Sequence, residues 1–407
     1  MNTYILLFGI TGDLSKRMLL PSLEKLLSNN MINNIYVYGV SRRDLDVNEI
    51  LTTSLNKPIE NISLSDKVSG IKLSDNLQDY IDFKNKLNLS NEDQLLIYLS
   101  VPPTSALQYV EFLGNAGLNG NNVKLMLEKP FGTDYASANN FLSIIAKFYR
   151  EEQVYKIDHY LAKRNAQALL EFRKNNENNL RNYWNDQYIE KIEVIAAEAL
   201  DIQGRGVFYE QTGALCDFIQ GHLFELLLLT IIDIDKKDLF EARSICAQSL
   251  EINNINNCVR GQYLGYKEEV NNTMSYVETY AKVILSSNMN EWKNTEFVLL
   301  TGKALDHKES SINIYFKDGQ KFNILISPVG SLPNKFNGEE LVNIDNNKYL
   351  DGYEAVFYNA IRGNRTIFST TDEILASWKM FMPLLDLWHK NGKGLIVYPK
   401  GSTLKYN

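Results

Sequence analysis

The first 160 residues alternate apolar runs of strand length with helical segments, and the runs are apolar throughout rather than at every second position. "TYILLFG" (3–9) gives way to a helix carrying "LLPSLEKLL" (19–27), and "NIYVYGVSR" (34–42) is the next strand. Then come "QLLIYLSVPP" (94–103), a helix over 105–117, "VKLMLEKP" (123–130), a helix over 134–149 and "VYKIDHYL" (154–161). Strands with no polar face must be covered on both sides, so this pattern predicts a doubly wound parallel sheet.

The grammar changes after residue 180. "YIEKIEVIAAEAL" (188–200), "YAKVILSS" (280–287), "TEFVLLTG" (295–302), "SINIYFKDG" (311–319) and "FNILISP" (322–328) read as strands following strands, the last two joined by a "KDGQ" turn. Helical periodicity returns over 209–232, 352–362 and 372–390. The expected architecture is therefore α/β plus α+β. A Rossmann-like domain (1–160) precedes a larger domain (161–407) with a mainly antiparallel sheet and helices.

A chain of 407 residues suits two domains. A net charge of −7 argues against general affinity for nucleic acid. Cys216, Cys246 and Cys258 fit no zinc or redox spacing and read as free thiols of a reducing compartment. The start "MNTYILLFGITGDL" has no basic leader. The oily run "LFELLLLTIIDI" (223–234) contains Glu225 and reads as too short to cross a bilayer. The expected location is the cytoplasm.

"GITGDLSKR" (9–17) sits between the first strand and the first helix. Its glycines allow a tight turn against a phosphate, and the helix start supplies amides and a positive dipole. Gly9, Thr11, Gly12, Asp13 and Leu14 are the cofactor-side candidates here. At the end of the second strand, where an NAD-binding fold usually offers a carboxylate, stand Ser41 and Arg42, and arginine suits a 2′-phosphate. "EKPFG" (128–132) places Lys129 at the carboxyl edge of the sheet, within reach of nicotinamide and sugar.

"YKIDHYLAKR" (155–164) packs Asp158, His159, Tyr160 and Lys163 into six positions of a chain with four histidines. Another histidine, His222, lies in the otherwise apolar helix "GALCDFIQGHLFELL" (213–227). Asp217 and His222 are five positions apart, roughly 140° around an α-helix, so they are expected to flank a cleft rather than share a face. A buried imidazole beside a nucleotide domain suits a base that takes a hydroxyl proton as hydride leaves carbon.

The sequence as a whole resembles the glucose-6-phosphate dehydrogenase family. The matching stretches run in order: "GITGDLSK", "GVSRRD", "YLSVPP", "EKPFG", "KIDHYLAK", "YWNDQYI", "GRGVFYEQTGALCDFIQGHL", "VRGQY", "ETYA", "LLTGKAL", "YEAVFYNAIRGN", "ASW" and "YPKGS". The resemblance implies oxidation of glucose 6-phosphate at C1 with NADP as cofactor, no metal, and a homo-oligomer, either a dimer or a dimer of dimers. It places the general base at His222 and the carboxylate that orients it at Asp158. It places the phosphate grip at His159, Tyr160 and Lys163, the sugar-hydroxyl contacts at Glu198 and Asp217, and further basic contacts at Lys303 and Lys308. Lys129 falls near both ligands. The chain departs from the family in having Gly221 before the base where Asn is usual, Ala162–Lys163–Arg164 in place of Gly-Lys-Glu, and a shorter length. Two other readings compete: a dehydrogenase of unphosphorylated sugars or polyols that also carries "EKP", and a catalytically weakened NADP-binding sensor.

Overall fold

The computed structural model describes residues 1–403 apart from 237 and divides into two compact units. The first comprises residues 1–132, 136–162 and 351–371; the second comprises 133–135, 163–350 and 372–407, of which 404–407 lie outside the described residues. A single boundary after residue 160 therefore misses a return. Residues 351–371, grouped by the sequence reading with the second domain, pack in the first unit.

Six parallel strands form the sheet of the first unit: β1 (Thr3–Phe8), β2 (Ile35–Ser41), β3 (Val68–Lys72), β4 (Gln94–Leu99), β5 (Val123–Leu127) and β6 (Val154–Ile157). Their spatial order is β3-β2-β1-β4-β5-β6, the order of a dinucleotide-binding sheet. Ile5, Leu6 and Leu7 in β1 and Leu95, Leu96 and Ile97 in β4 are fully buried, which is why these strands carry no polar face. The returning segment adds a short strand, Phe368–Ser369, antiparallel to β6. Strand β3 and the helices Val47–Leu55 and Leu77–Leu87 were not legible in the sequence. β3 is an edge strand with only Val68 buried, so it lacks the apolar run that marks its neighbours.

The second unit is built on β7 (Ile189–Ala197), β8 (Leu250–Glu251), β9 (Val259–Tyr263), β10 (Tyr280–Ser287), β11 (Glu296–Gly302), β12 (Glu309–Phe316) and β13 (Lys321–Ser327). The sheet runs β13-β12-β7-β11-β10-β9 and ends on the strand Leu395–Tyr398, while β8 pairs with β10. Most pairings are antiparallel; β7–β11 and β9 with the last strand are parallel. The "KDGQ" turn closes the β12–β13 hairpin, with Gly319 at φ 89° and Phe316 N–H donating to Gln320 O.

The apolar run at 223–234 belongs largely to a longer helical segment, Gly206–Ile231, kinked at Gly213. That segment is 26 residues long and apolar enough to cross a membrane by length and composition. Its most apolar stretch is 83% buried inside the protein, and Glu225 meets Arg243 there at 2.8 Å.

Candidate active site

In the first unit the candidates gather at the carboxyl edge of the parallel sheet, because each follows directly on a strand. Gly9 leaves β1 at φ +77°. A Cβ there would lie 2.2 Å from the carbonyl oxygen of Ser100, so only glycine lets the first turn approach the end of β4. Gly12 N–H and Ser15 Oγ both donate to Gly9 O, closing the turn. The helix it opens has no side-chain cap on its first amides. A turn without Cβ bulk and a helix start without a capping side chain fit a pyrophosphate. Thr11 and Asp13 are exposed and Leu14 is half-buried; Asp13 makes a 3.4 Å surface pair with Arg17.

At the end of β2, Ser41 Oγ accepts from Arg43 N–H, and the exposed Arg42 lies 3.2 Å from Asp75. A hydrogen bond to Tyr109 is the main reason the Arg42 guanidinium is held above its ordinary value. No carboxylate follows β2 until Asp44.

Strand β5 is followed directly by Glu128 and Lys129, the latter joined to Pro130 by a cis peptide bond. Lys129 Nζ donates to Asp158 Oδ2 in a short ion pair, and Asp158, with no solvent exposure, also accepts from the Tyr160 amide at 2.8 Å. Strand β6 stops at Ile157, three residues before the expected extended run would carry it past Tyr160, because that carboxylate bends the backbone into a turn. His159 is half-buried with its ring 5.1 Å from that of Tyr160. Sequence reasoning missed the support beneath Lys129. Glu128 accepts hydrogen bonds from Tyr98 and Tyr353, and burial pushes its carboxyl up to about 7. Both tyrosines lie in stretches that carry the resemblance, "YLSVPP" and "YEAVF".

In the second unit Lys163 is the N-cap residue of the helix Arg164–Asn175. Two distant segments converge on Lys303, just after β11: its ammonium pairs closely with Glu198, from the end of β7, and lies 3.4 Å from Asp217. The Lys303 side chain is almost wholly buried, and its Nζ lies 4.8 Å from the Phe218 ring centroid and 5.5 Å from that of Tyr209. A buried ammonium between two carboxylates and over two ring faces is well compensated. Lys308 stays outside this group, exposed on the following loop.

Asp217 and His222 stand on a π-helical stretch, Leu215–Leu223, not on the α-helix assumed from sequence. Wide i→i+5 turns put residues five apart on the same side, so the expected 140° separation does not hold. His222 is buried, edge-on to Phe218 at 5.6 Å. Two carboxylates and an ammonium thus meet in the second unit, and the π-helical stretch that supplies Asp217 also carries the buried His222.

A dinucleotide-type sheet with a glycine turn that fits a phosphate, and a second unit carrying a buried histidine on the same helical stretch as one of two paired carboxylates, have the make-up of a nicotinamide-dependent oxidoreductase. The chain matches the family model for glucose-6-phosphate dehydrogenase, NAD binding domain, over residues 6–168, and that for the C-terminal domain over 170–342 and 331–404. It belongs to the glucose-6-phosphate dehydrogenase family.

Glucose-6-phosphate 1-dehydrogenase of Chlamydia pneumoniae is 29% identical over 477 aligned residues, covering 98% of this chain and 92% of that protein. The Helicobacter pylori enzyme of the same name is 29% identical over 409 residues, covering 97% and 95%. A solved glucose-6-phosphate dehydrogenase in complex with its substrate glucose 6-phosphate has the same fold, with a TM-score of 0.87 at 24% identity, covering 100% of this chain and 96% of the other. A myo-inositol dehydrogenase from Corynebacterium glutamicum shares the fold more loosely, with a TM-score of 0.55 at 10% identity over 95% and 96% of the two chains.

Proposed function

We propose that this chain oxidises glucose 6-phosphate at C1 to 6-phosphogluconolactone with NADP as the hydride acceptor, in the oxidative branch of the pentose phosphate pathway. Membership of the family supports the reaction and a nicotinamide cofactor. The observation that carries the reading onto particular residues is the buried Lys303 held by Glu198 and Asp217, with His222 on the same π-helical turn as Asp217.

Glu198 and Asp217 accept hydrogen bonds from sugar hydroxyls while Lys303 donates, fixing which carbon faces the base. His222 takes the proton of the C1 hydroxyl as the C1–H bond breaks, and the C–O bond becomes the lactone carbonyl. Asp158 has the task, on the family resemblance, of orienting that base. His159, Tyr160 and Lys163 supply donors to the phosphate dianion. The bound nicotinamide supplies the two-electron sink that accepts hydride from C1. Gly9, Thr11, Gly12, Asp13 and Leu14 hold its pyrophosphate, Ser41 and Arg42 its 2′-phosphate, and Lys129 its nicotinamide side together with the sugar. Lys308 adds basic charge near the substrate.

The exposed arginine after β2, in the place of an acid, supports NADP over NAD. The cytoplasm as location and a homodimer or dimer of dimers complete the reading. Steady-state assays comparing glucose 6-phosphate with glucose test it: the phosphate should be preferred by at least 10²-fold in kcat/KM, as expected when an anion grip is left empty. Equal turnover of glucose would return the chain to the unphosphorylated-sugar class.

A further inference from the structure

The turn that carries Asp217 and His222 begins at a helix break. Gly213, in the preceding helix Gly206–Ala214, adopts φ +59° and ψ −177°. What fills the space beside it is the carboxylate of Glu278: a Cβ on residue 213 would sit 2.4 Å from Oε1, 2.8 Å from Cδ and 2.9 Å from Oε2. Alanine is thus excluded there both by the backbone and by this neighbour.

Glu278 then takes up the two amides that follow the break. Its main-chain oxygen accepts from Ala214 N–H at 2.9 Å, and Oε1 accepts from Leu215 N–H at 2.9 Å. Side chain and main chain of one residue satisfy the first amides of the π-helical stretch, which has no cap of its own. The next residue, Thr279, does the same for the other half of the cluster, since its carbonyl oxygen accepts from Lys303 N–H at 2.8 Å. The dipeptide Glu278–Thr279 therefore touches the backbone on both sides of the Asp217–Lys303 contact.

Glu278 has no solvent exposure, and its Oε2 has no hydrogen-bond partner. A carboxyl this deep is a costly choice for mere packing. Burial pushes it up to about 7, against the weaker pull first of the Leu215 N–H and then of the Arg260 charge, so an amide mimics its neutral form.

We infer that Glu278 is a positioning residue for the reaction: it anchors the start of the π-helical turn so that Asp217 and His222 are presented in register with Lys303. It touches no reacting atom. The inference rests on the proposed function for its link to turnover, but the anchor itself is a structural claim that is read separately.

E278D and E278Q separate the acceptor's position from its charge. E278D keeps the carboxyl group but withdraws its oxygen by one methylene from Leu215 N–H. It should lower kcat at least ten-fold, leave the KM for NADP within two-fold, and speed amide hydrogen exchange across 214–223. E278Q keeps an oxygen in place, folds as an isostere, and should lose less than three-fold in kcat with exchange near wild type. A wild-type kcat and exchange rate in E278D would overturn the inference, as would an E278Q loss as large as that of E278D. Exchange is measured whether or not the wild type oxidises glucose 6-phosphate. A wrong substrate and a wrong anchor therefore give different results.

Discussion

Lys129 and Asp158 form an ion pair at the carboxyl edge of the first unit's sheet, with the carboxylate wholly buried and the lysine about a quarter exposed. Strands β5 and β6 are adjacent, so the residues following each meet there without a loop between them. The lysine is also underpinned by Glu128, which Tyr98 and Tyr353 hold in place. Removing the ammonium by K129M leaves a buried carboxylate uncompensated, a change that costs about 3–5 kcal/mol in comparable pairs. A lowered thermal midpoint together with lost turnover is expected, and D158N/K129M should recover much of the midpoint without recovering activity. Calorimetric unfolding of the wild type and the two variants checks this.

Glu128 gives the first unit a pH dependence of unusual sign. Its folded-state value of about 7 lies above the ordinary 4.5, because burial disfavours the carboxylate. Between those values the folded form holds more protons than the unfolded chain. The stabilisation is therefore full below about pH 4.5 and is lost as pH rises through 7. Glu278 contributes in the same direction in the second unit. Urea midpoints at pH 5.5 and 8 should differ more for wild type than for E128Q, by a contribution on the order of 1–3 kcal/mol.

The proposed phosphate grip should be separable from cofactor binding. Lys163, at the head of its helix, supplies a point charge to one ligand only in this account. K163A should raise the KM for glucose 6-phosphate by at least ten-fold and move the KM for NADP by less than two-fold. Equal changes in both constants would place Lys163 elsewhere.

The proposed preference for NADP rests on Arg42. Its pair with Asp75 is exposed on both sides, so exchanging it for a 2′-phosphate costs little. R42A should weaken NADP by one to two decades, the loss expected of a charge-assisted contact worth about 1.5–3 kcal/mol, and leave NAD nearly unchanged. Fluorescence titration with each cofactor measures the split.

The parallel sheet was legible because fully buried strands leave unmistakable apolar runs, as in β1 and β4, and because the glycine turn follows the first of them. The edge strand β3 left no such run. In the second unit the helix from 209 was legible but its pitch was not. Periodicity assumes 3.6 residues per turn, and the π-helical stretch that aligns Asp217 with His222 breaks that assumption. The meeting of Glu198, Asp217 and Lys303 could not be read from spacing at all, since 105 residues separate the first from the last. Family motifs nominated the three; sheet register brings them together, with β7 and β11 paired so that Ala197 faces Gly302 one residue before Glu198 and Lys303. Glu278 carried no sequence signal beyond lying in "ETYA".

If His222 takes the C1 proton of glucose 6-phosphate, the rate of hydride transfer in H222N must fall. With both ligands saturating, stopped-flow appearance of NADPH should slow by about 10²–10⁴-fold, the range for a lost general base. Calorimetric affinity for glucose 6-phosphate should stay within a few-fold of wild type. Hydride transfer at a near-normal rate in H222N would contradict the account.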